Sequence, residues 1–167
     1  MTRKPVALGN IRVLVLDVDG VMTDGRLYFG SGGEENKVFH VRDGAGIKLV
    51  QQLGITVAVI SGRRSPPTVQ RCRELGIAEV FLGVEDKERA FTALCTRLGV
   101  SARECACIGD DTTDLPLLRQ AGLAVAVADA HPEARRAAHR STTLAGGQGA
   151  VREVCDWLLG ARRPRKS

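Results

Sequence analysis

Five short apolar runs, Ile11 to Leu16, Ile55 to Ile60, Val80 to Leu82, Cys105 to Ile108 and Leu123 to Val127, alternate with amphipathic stretches that stop at glycines. Nothing else in the chain limits its fold so tightly. Runs this short and β-branched read as strands buried on both faces, and strands alternating with helices read as βαβ units. Ile47, Val50 and Leu53 repeat at helical spacing before Gly54, as do Val69, Cys72 and Leu75 before Gly76. Ala90, Phe91, Leu94 and Leu98 end at Gly99, while Leu115, Leu117 and Leu118 end near Gly122. Glycine is the residue best suited to the left-handed turn that closes a helix. A last helix is expected from about Ala150 to Leu159, with Val151, Val154, Cys155 and Leu158 inward and Trp157 helping to close the core. The expected fold is α/β, a doubly wound (Rossmann-like) parallel sheet. At 167 residues and 44% hydrophobic composition the chain suffices for one such domain, residues 1–161, ahead of a basic flexible tail over 162–167.

One segment breaks the alternation. Arg26 to Phe29 and Lys37 to Val41 are β-prone and flank Gly30-Ser31-Gly32-Gly33-Glu34-Glu35, the signature of a β-hairpin over about 26–41. A two-stranded ribbon is marginal alone and leaves open edges, so burial of this hairpin in a homo-oligomer is expected.

Composition removes several classes of function. No stretch is long and apolar enough to span a bilayer, and Met1 to Asn10 lacks the apolar segment of a signal peptide, so a cytoplasmic protein without a membrane partner is expected. The net charge of +5 suggests nucleic acid only at first sight. Arg162, Arg163, Arg165 and Lys166 supply four of the 24 basic residues, so the body is nearly neutral against 19 acidic ones, and aromatics at 4% are too few for a base-stacking platform. Cys72, Cys95, Cys105, Cys107 and Cys155 are odd in number and form no C-x-x-C pair, which reads as small buried hydrophobes. His40, His131 and His139 have no metal-ligand spacing.

Four polar clusters fall at the ends of apolar runs or in the loops behind them: Asp17-Val18-Asp19-Gly20, Ser61-Gly62-Arg63, Lys87, and Gly109-Asp110-Asp111-Thr112-Thr113-Asp114. The C-terminal edges of a doubly wound sheet converge on one crevice, so these loops deliver acidic groups, a hydroxyl, an amine and a guanidinium to one place. Clustered carboxylates cannot all stay ionised and dry, and with no histidine among them they suit a hard cation such as Mg²⁺. A carboxylate can attack phosphorus, a second can serve as acid and then base, and a hydroxyl and a lysine complement the charge of a transferring phosphoryl group. Asp110 and Asp111 are not separable at this stage, and helix capping explains Asp111 or Thr112 equally well. Asp24 either aids the acidic loop or stabilises its turn. Gly146-Gly147-Gln148-Gly149 reads as a tight turn into the last helix rather than a phosphate cradle. A phospho-accepting receiver domain uses similar residues but has no use for a second carboxylate two positions on.

These residues resemble the haloacid dehalogenase superfamily of aspartate-nucleophile phosphatases. Asp17 to Gly25, Phe39 to Gly44, Ser61-Gly62-Arg63, Gly109-Asp110-Asp111 and Gly146 to Glu153 are similar, within it, to the phosphatases of 3-deoxy-D-manno-octulosonate 8-phosphate. The resemblance covers about Ile11 to Leu159. It implies a haloacid dehalogenase-type sheet with no large cap domain. It implies Asp17 as nucleophile, Asp19 as general acid/base, and Ser61 and Lys87 as holders of the phosphoryl group. Mg²⁺ is implied on the Asp17 carboxylate, the Asp19 backbone carbonyl and Asp110, supported by Asp111 and Asp114. It further implies a homotetramer whose hairpins meet at the symmetry axis and whose active sites are completed by a neighbour, acting in lipopolysaccharide precursor synthesis. A sugar acid needs a cation for its carboxylate, and Arg63, Arg64, Arg71 and Arg42 are the candidates, with His40 a further substrate contact. Ala45, between Gly44 and Gly46, stands where similar enzymes carry more bulk, a difference expected to widen the pocket. Other sugar-acid phosphatases, acting on acylneuraminate 9-phosphates, and an idle oligomerisation domain of the same fold are the alternatives.

Overall fold

The computed structural model describes residues 4–162. Its strands are β1 (Val13–Leu16), β2 (Tyr28–Phe29), β3 (Glu35–Asn36), β4 (Thr56–Ser61), β5 (Glu79–Leu82), β6 (Cys105–Gly109), β7 (Leu123–Ala126) and β8 (Arg140–Ser141). Its helices are α1 (Val41–Gln52), α2 (Pro66–Leu75), α3 (Lys87–Leu98), α4 (Leu115–Gln120), α5 (Pro132–Ala137) and α6 (Ala150–Arg162). Six strands form one sheet in the order β5-β4-β1-β6-β7-β8, each pair parallel. The chain winds outward from β1 in both directions. The crevice at the strand C-termini therefore opens beside β1, where the order reverses.

β1 is central because nothing on it is polar. Val13, Leu14, Val15 and Leu16 are all buried, with helices covering both faces of the sheet. Each such side chain contributes about 1.5–3 kcal/mol on leaving water. α1 packs on α6 and α2, and α4 packs on α3 and α5, which gives the two helical layers. Gly44 and Gly46 permit the first set of contacts. A Cβ on Gly44 would lie 2.3 Å from Arg71 Nη2, and one on Gly46 would lie 3.0 Å from Cys155 Cβ. Ala45 between them is exposed in the single chain. Gly76 and Gly99 close α2 and α3 in the left-handed conformation expected of them. Asp43 is buried near the start of α1, and its Oδ1 accepts the Arg152 amide at 2.8 Å, capping α6 from a different helix.

Three boundaries differ from expectation. The hairpin pairs Tyr28 with Asn36 and Phe29 with Glu35, so its second strand lies two residues earlier than Lys37. The cause is a tight loop, in which the Gly30 amide donates to Glu34 O at 2.8 Å and brings Glu35 straight into register. Val41 belongs to α1, because the His40 imidazole Nδ1 accepts the Arg42 amide and caps that helix. The last helix continues three residues beyond Leu159. Arg162 is thus no part of a tail: its Nη1 donates to Leu53 O at 2.9 Å. The remaining residues of the expected tail, 163–167, lie outside the described ones. Four of the cysteines are buried as expected, while Cys95 is half-buried with its sulfur 3.8 Å from that of Cys105, and all five are free thiols.

Candidate active site

Asp17 continues the β1 ladder for one residue, its amide donating to Ile108 O at 3.2 Å, and then the chain turns sharply. The amides of Val21, Met22 and Thr23 all donate to Val18 O, and Gly20 takes φ +92°, a conformation costly for any residue with a Cβ. The turn carries Asp19 to the same crevice that Asp17 faces. Ser61 ends β4, buried, and its Oγ accepts the Arg63 amide. Lys87 opens α3, whose N-cap Asp86 accepts the Arg89 amide at 2.9 Å.

The centre is a buried cross-link between three loops. Lys87 Nζ donates to Asp17 Oδ1 at 2.9 Å and to Asp114 Oδ1 at 2.7 Å, with all three side chains under 10% exposed. Asp114 Oδ2 accepts the amides of Asp110 and Asp111 at 2.9 and 3.3 Å, which fixes the loop after β6. Carboxylate oxygens of Asp17, Asp110 and Asp114 lie within 4.8 Å of one another. Asp111 is exposed and uses its Oδ1 to cap the turn at Thr112. That separates it from Asp110, which sequence could not do.

Asp17, Asp19, Ser61, Arg63, Lys87, Asp110 and Asp111, from all four clusters, line one cavity of about 450 Å³. Three crowded carboxylates against one ammonium leave the site short of positive charge. Burial, then Asp114, raises the Asp17 carboxyl to about 7 against the pull of Lys87. Burial, then Asp17, Asp114 and Asp111, raises Asp110 to about 8. Burial opposes the charged form of Lys87, but Asp17 and Asp114 outweigh it and hold the ammonium above the ordinary lysine range. An all-oxygen donor set lacking positive charge fits a hard divalent cation.

A profile of the haloacid dehalogenase-like hydrolases matches residues 76–153. The chain is 48% identical over 153 residues to the 3-deoxy-D-manno-octulosonate 8-phosphate phosphatase KdsC of Escherichia coli K12, covering 92% of this chain and 81% of that protein. It belongs to the haloacid dehalogenase-like hydrolases, in the family of 3-deoxy-D-manno-octulosonate 8-phosphate phosphatases. The fold agrees. The Moraxella catarrhalis phosphatase, solved with magnesium, phosphate and KDO, superposes with a TM-score of 0.91 at 40% identity over 93% of this chain and 89% of that one. The cobalt-bound Haemophilus influenzae phosphatase gives 0.90 at 45% identity over 94% and 92%.

Not every candidate of this haloacid dehalogenase-like hydrolase meets at the cavity. Arg63 stands at its rim, with Nη2 3.1 Å from Glu35 Oε1. Arg64 lines a separate groove beside α2, and Arg71 lies over the Phe39 ring and pairs with Glu74. Arg42 lies beside Arg152 and Gln148, and His40 is the α1 cap. The glycine turn carries support rather than phosphate: the Gly147 amide donates to Val21 O, and a Cβ on Gly146 would sit 1.7 Å from Gly20 O. Asp24 stabilises its turn, accepting from the Tyr28 hydroxyl and then the Arg26 amide, which draw its carboxyl below the usual range.

The residue that sequence reading missed is Lys37. From the end of the hairpin its Nζ reaches the Asp19 carboxylate and lies 3.3 Å from Glu35 Oε1, with its side chain 2% exposed. No spacing rule pointed to it, because a lysine in a two-stranded ribbon looks solvated until the ribbon folds over the loop.

Two outcomes follow from these contacts. Gly146→Ala pushes on the Gly20 carbonyl, so a loss of about 1–3 kcal/mol in denaturant unfolding is expected, with weakened turnover. Wild-type stability and rate would show instead that the loop gives way freely. The second concerns pH. Carboxyls held near 7 and 8 in the fold, and near 4 in the unfolded chain, favour the fold below about pH 4 and lose that contribution as pH rises through 7 to 8. Without divalent cation, Asp110→Asn should therefore raise Tm at pH 8.5 and do little at pH 5. Mg²⁺ should add more to the wild-type Tm at pH 8.5 than at pH 6, and equal increments would contradict the assigned crowding.

Proposed function

We propose that this chain is a Mg²⁺-dependent phosphomonoesterase that hydrolyses 3-deoxy-D-manno-octulosonate 8-phosphate to the free sugar acid and phosphate. The observation that carries this reading is the buried Asp17–Lys87–Asp114 cross-link with Asp110 beside it at the switch point of the sheet, in a chain close to phosphatases of that name.

Their positions support the following roles. Asp17 attacks phosphorus through the oxygen not bound to Lys87, and the phosphoryl–oxygen bond to the sugar breaks as the aspartyl-phosphate forms. Asp19 gives a proton to the departing sugar oxygen, then takes one from the water that cleaves the acyl phosphate. Ser61 and Lys87 hold the equatorial oxygens, where charge spreads in the transition state. Mg²⁺, held by the Asp17 carboxylate, the Asp19 carbonyl and Asp110, with Asp111 and Asp114 in support, would offset the charge between the nucleophile and the phosphate. Arg63 is the own-chain partner for the sugar carboxylate.

The hairpin supports a second part of the proposal, a homotetramer in the cytoplasm. Leu27, Phe29, Val38 and Val41 are 51%, 63%, 62% and 80% exposed in the single chain, an apolar strip that a neighbouring copy would cover. Arg64, Arg71, Arg42 and His40 could then serve a site only from the neighbouring subunit. Among the described residues no helix is long and apolar enough to cross a membrane. Sedimentation at micromolar concentration tests the assembly, and a strictly monomeric mass would overturn it.

Phosphate release with Mg²⁺ on three substrates tests the activity: the eight-carbon sugar acid 8-phosphate, an acylneuraminate 9-phosphate and a neutral hexose phosphate. Preference for the first by tenfold or more in kcat/KM is expected. Preference for the second moves the chain to another sugar acid, and no turnover of any leaves an idle scaffold.

A further inference from the structure

Lys37 is placed too expensively to be a surface lysine. Immobilising its side chain costs rotamer entropy, and removing an ammonium from water costs more before any pairing. Two carboxylates compensate, Asp19 and Glu35, and Glu35 is itself 3.1 Å from Arg63 Nη2. The result is a chain of alternating charge, Asp19–Lys37–Glu35–Arg63, running from the acidic loop across the hairpin to the cavity rim. The site thus has two buried lysine side chains with separate partners: Lys87 takes Asp17 and Asp114, and Lys37 takes Asp19.

This separation has a consequence for an acid that must meet a leaving oxygen. An aspartate at a turn samples several rotamers, and in one of them it would swing towards the other carboxylates of the cavity. Lys37, which does not line the cavity that Asp17, Asp19 and Asp110 share, holds it by one oxygen. Lys37 engages Oδ1 and not Oδ2, so the second oxygen is available to carry the proton. We propose that Lys37 is a positioning residue that orients Asp19 for proton transfer to the leaving group, with Glu35 anchoring the lysine. The hairpin is thereby part of the catalytic geometry, although it contributes no atom to the phosphoryl transfer. The proposal rests on the acid/base reading of Asp19 given above.

Esters of different leaving ability separate the possibilities. p-Nitrophenolate departs from its phosphate as a stable anion and needs no proton, whereas the sugar oxygen would depart as a strongly basic alkoxide and needs one. The value of kcat/KM reports the first bond cleavage for both. For Lys37→Met a fall of about 30-fold to 1000-fold on the sugar phosphate is expected, within the range of acid/base catalysis, with a change below fivefold on the aryl ester. The nitrophenol burst should remain while its steady-state rate slows. Adding Lys37→Met to Asp19→Asn should cost nothing further. Glu35→Gln, which leaves the lysine in place but loosens it, should show the same discrimination to a smaller degree if Lys37→Met fails to fold. Equal losses on both esters, or a rise in KM alone, would overturn the positioning role. If Asp19→Asn itself fails to discriminate between the esters, the acid/base reading fails first.

Discussion

Asp17→Asn is expected to reduce phosphate release by about 10⁴-fold or more, because the amide cannot supply the attacking oxygen and no neighbouring group can replace it. Ser61 is buried with its hydroxyl turned to the Arg63 amide, Asp110 is held on the far loop, and Asp19 is tied to Lys37. The same substitution removes a carboxylate from a crowded site, so the protein should gain thermal stability in the absence of Mg²⁺ while losing turnover. A general folding defect would move both quantities down. Rapid quench in acid should trap phosphoprotein from the wild type and none from Asp17→Asn. Retention of more than about 1% of wild-type turnover by a homogeneous sample would refute the nucleophile.

Lys87→Met should have the opposite effect on stability. The ammonium bonds two buried carboxylates, and deleting it leaves Asp17 and Asp114 facing each other without compensation. Breaking a buried pair from one side costs about 3–5 kcal/mol, which for a chain of this length corresponds to a fall in Tm of about 6–20 °C. Protonation of the carboxylates relieves the repulsion. Asp17 and Asp110 already stand above the usual carboxylate range with the lysine present, so the deficit should shrink as pH falls from 8 to 5. The double variant Asp17→Asn/Lys87→Met should recover much of it, and a strictly additive double variant would show that the two groups are not coupled. Turnover of the single variant should fall by about 10³-fold, through lost stabilisation of the phosphoryl oxygens.

The reading of the chain before its structure was most successful where sequence spacing and sheet geometry coincide. Asp17, Ser61 and Asp110 each lie at the C-terminal end of a buried parallel strand, and parallel strands in one sheet end on one side, so their convergence needed no knowledge of packing. Lys87 was placed by the helix it opens. Side chains that reach a site from outside this register were not legible. Lys37 follows a two-residue strand, and nothing local says whether its four methylenes point to water or back over the Asp19 loop. The arginines illustrate the converse, since Arg64 and Arg71 are near Arg63 in sequence but α2 turns them onto other surfaces. His40 and Asp24, polar residues close to the site in sequence, are accounted for by capping and turn bonds.

The amino-acid sequence by itself determined the parallel sheet and the set of loops that bear the chemistry, because burial on both faces and helical periodicity are properties of the order of residues. Only the tertiary structure decided which carboxylate faces which cation. It separated Asp110, whose carboxylate joins those of Asp17 and Asp114, from Asp111, whose carboxylate caps the turn at Thr112, and it brought Lys37 across eighteen residues to Asp19. Pairings of this kind depend on distances of a few ångströms between loops far apart in the chain, and such distances are set by how the helices pack on the sheet, not by any local preference of the residues concerned.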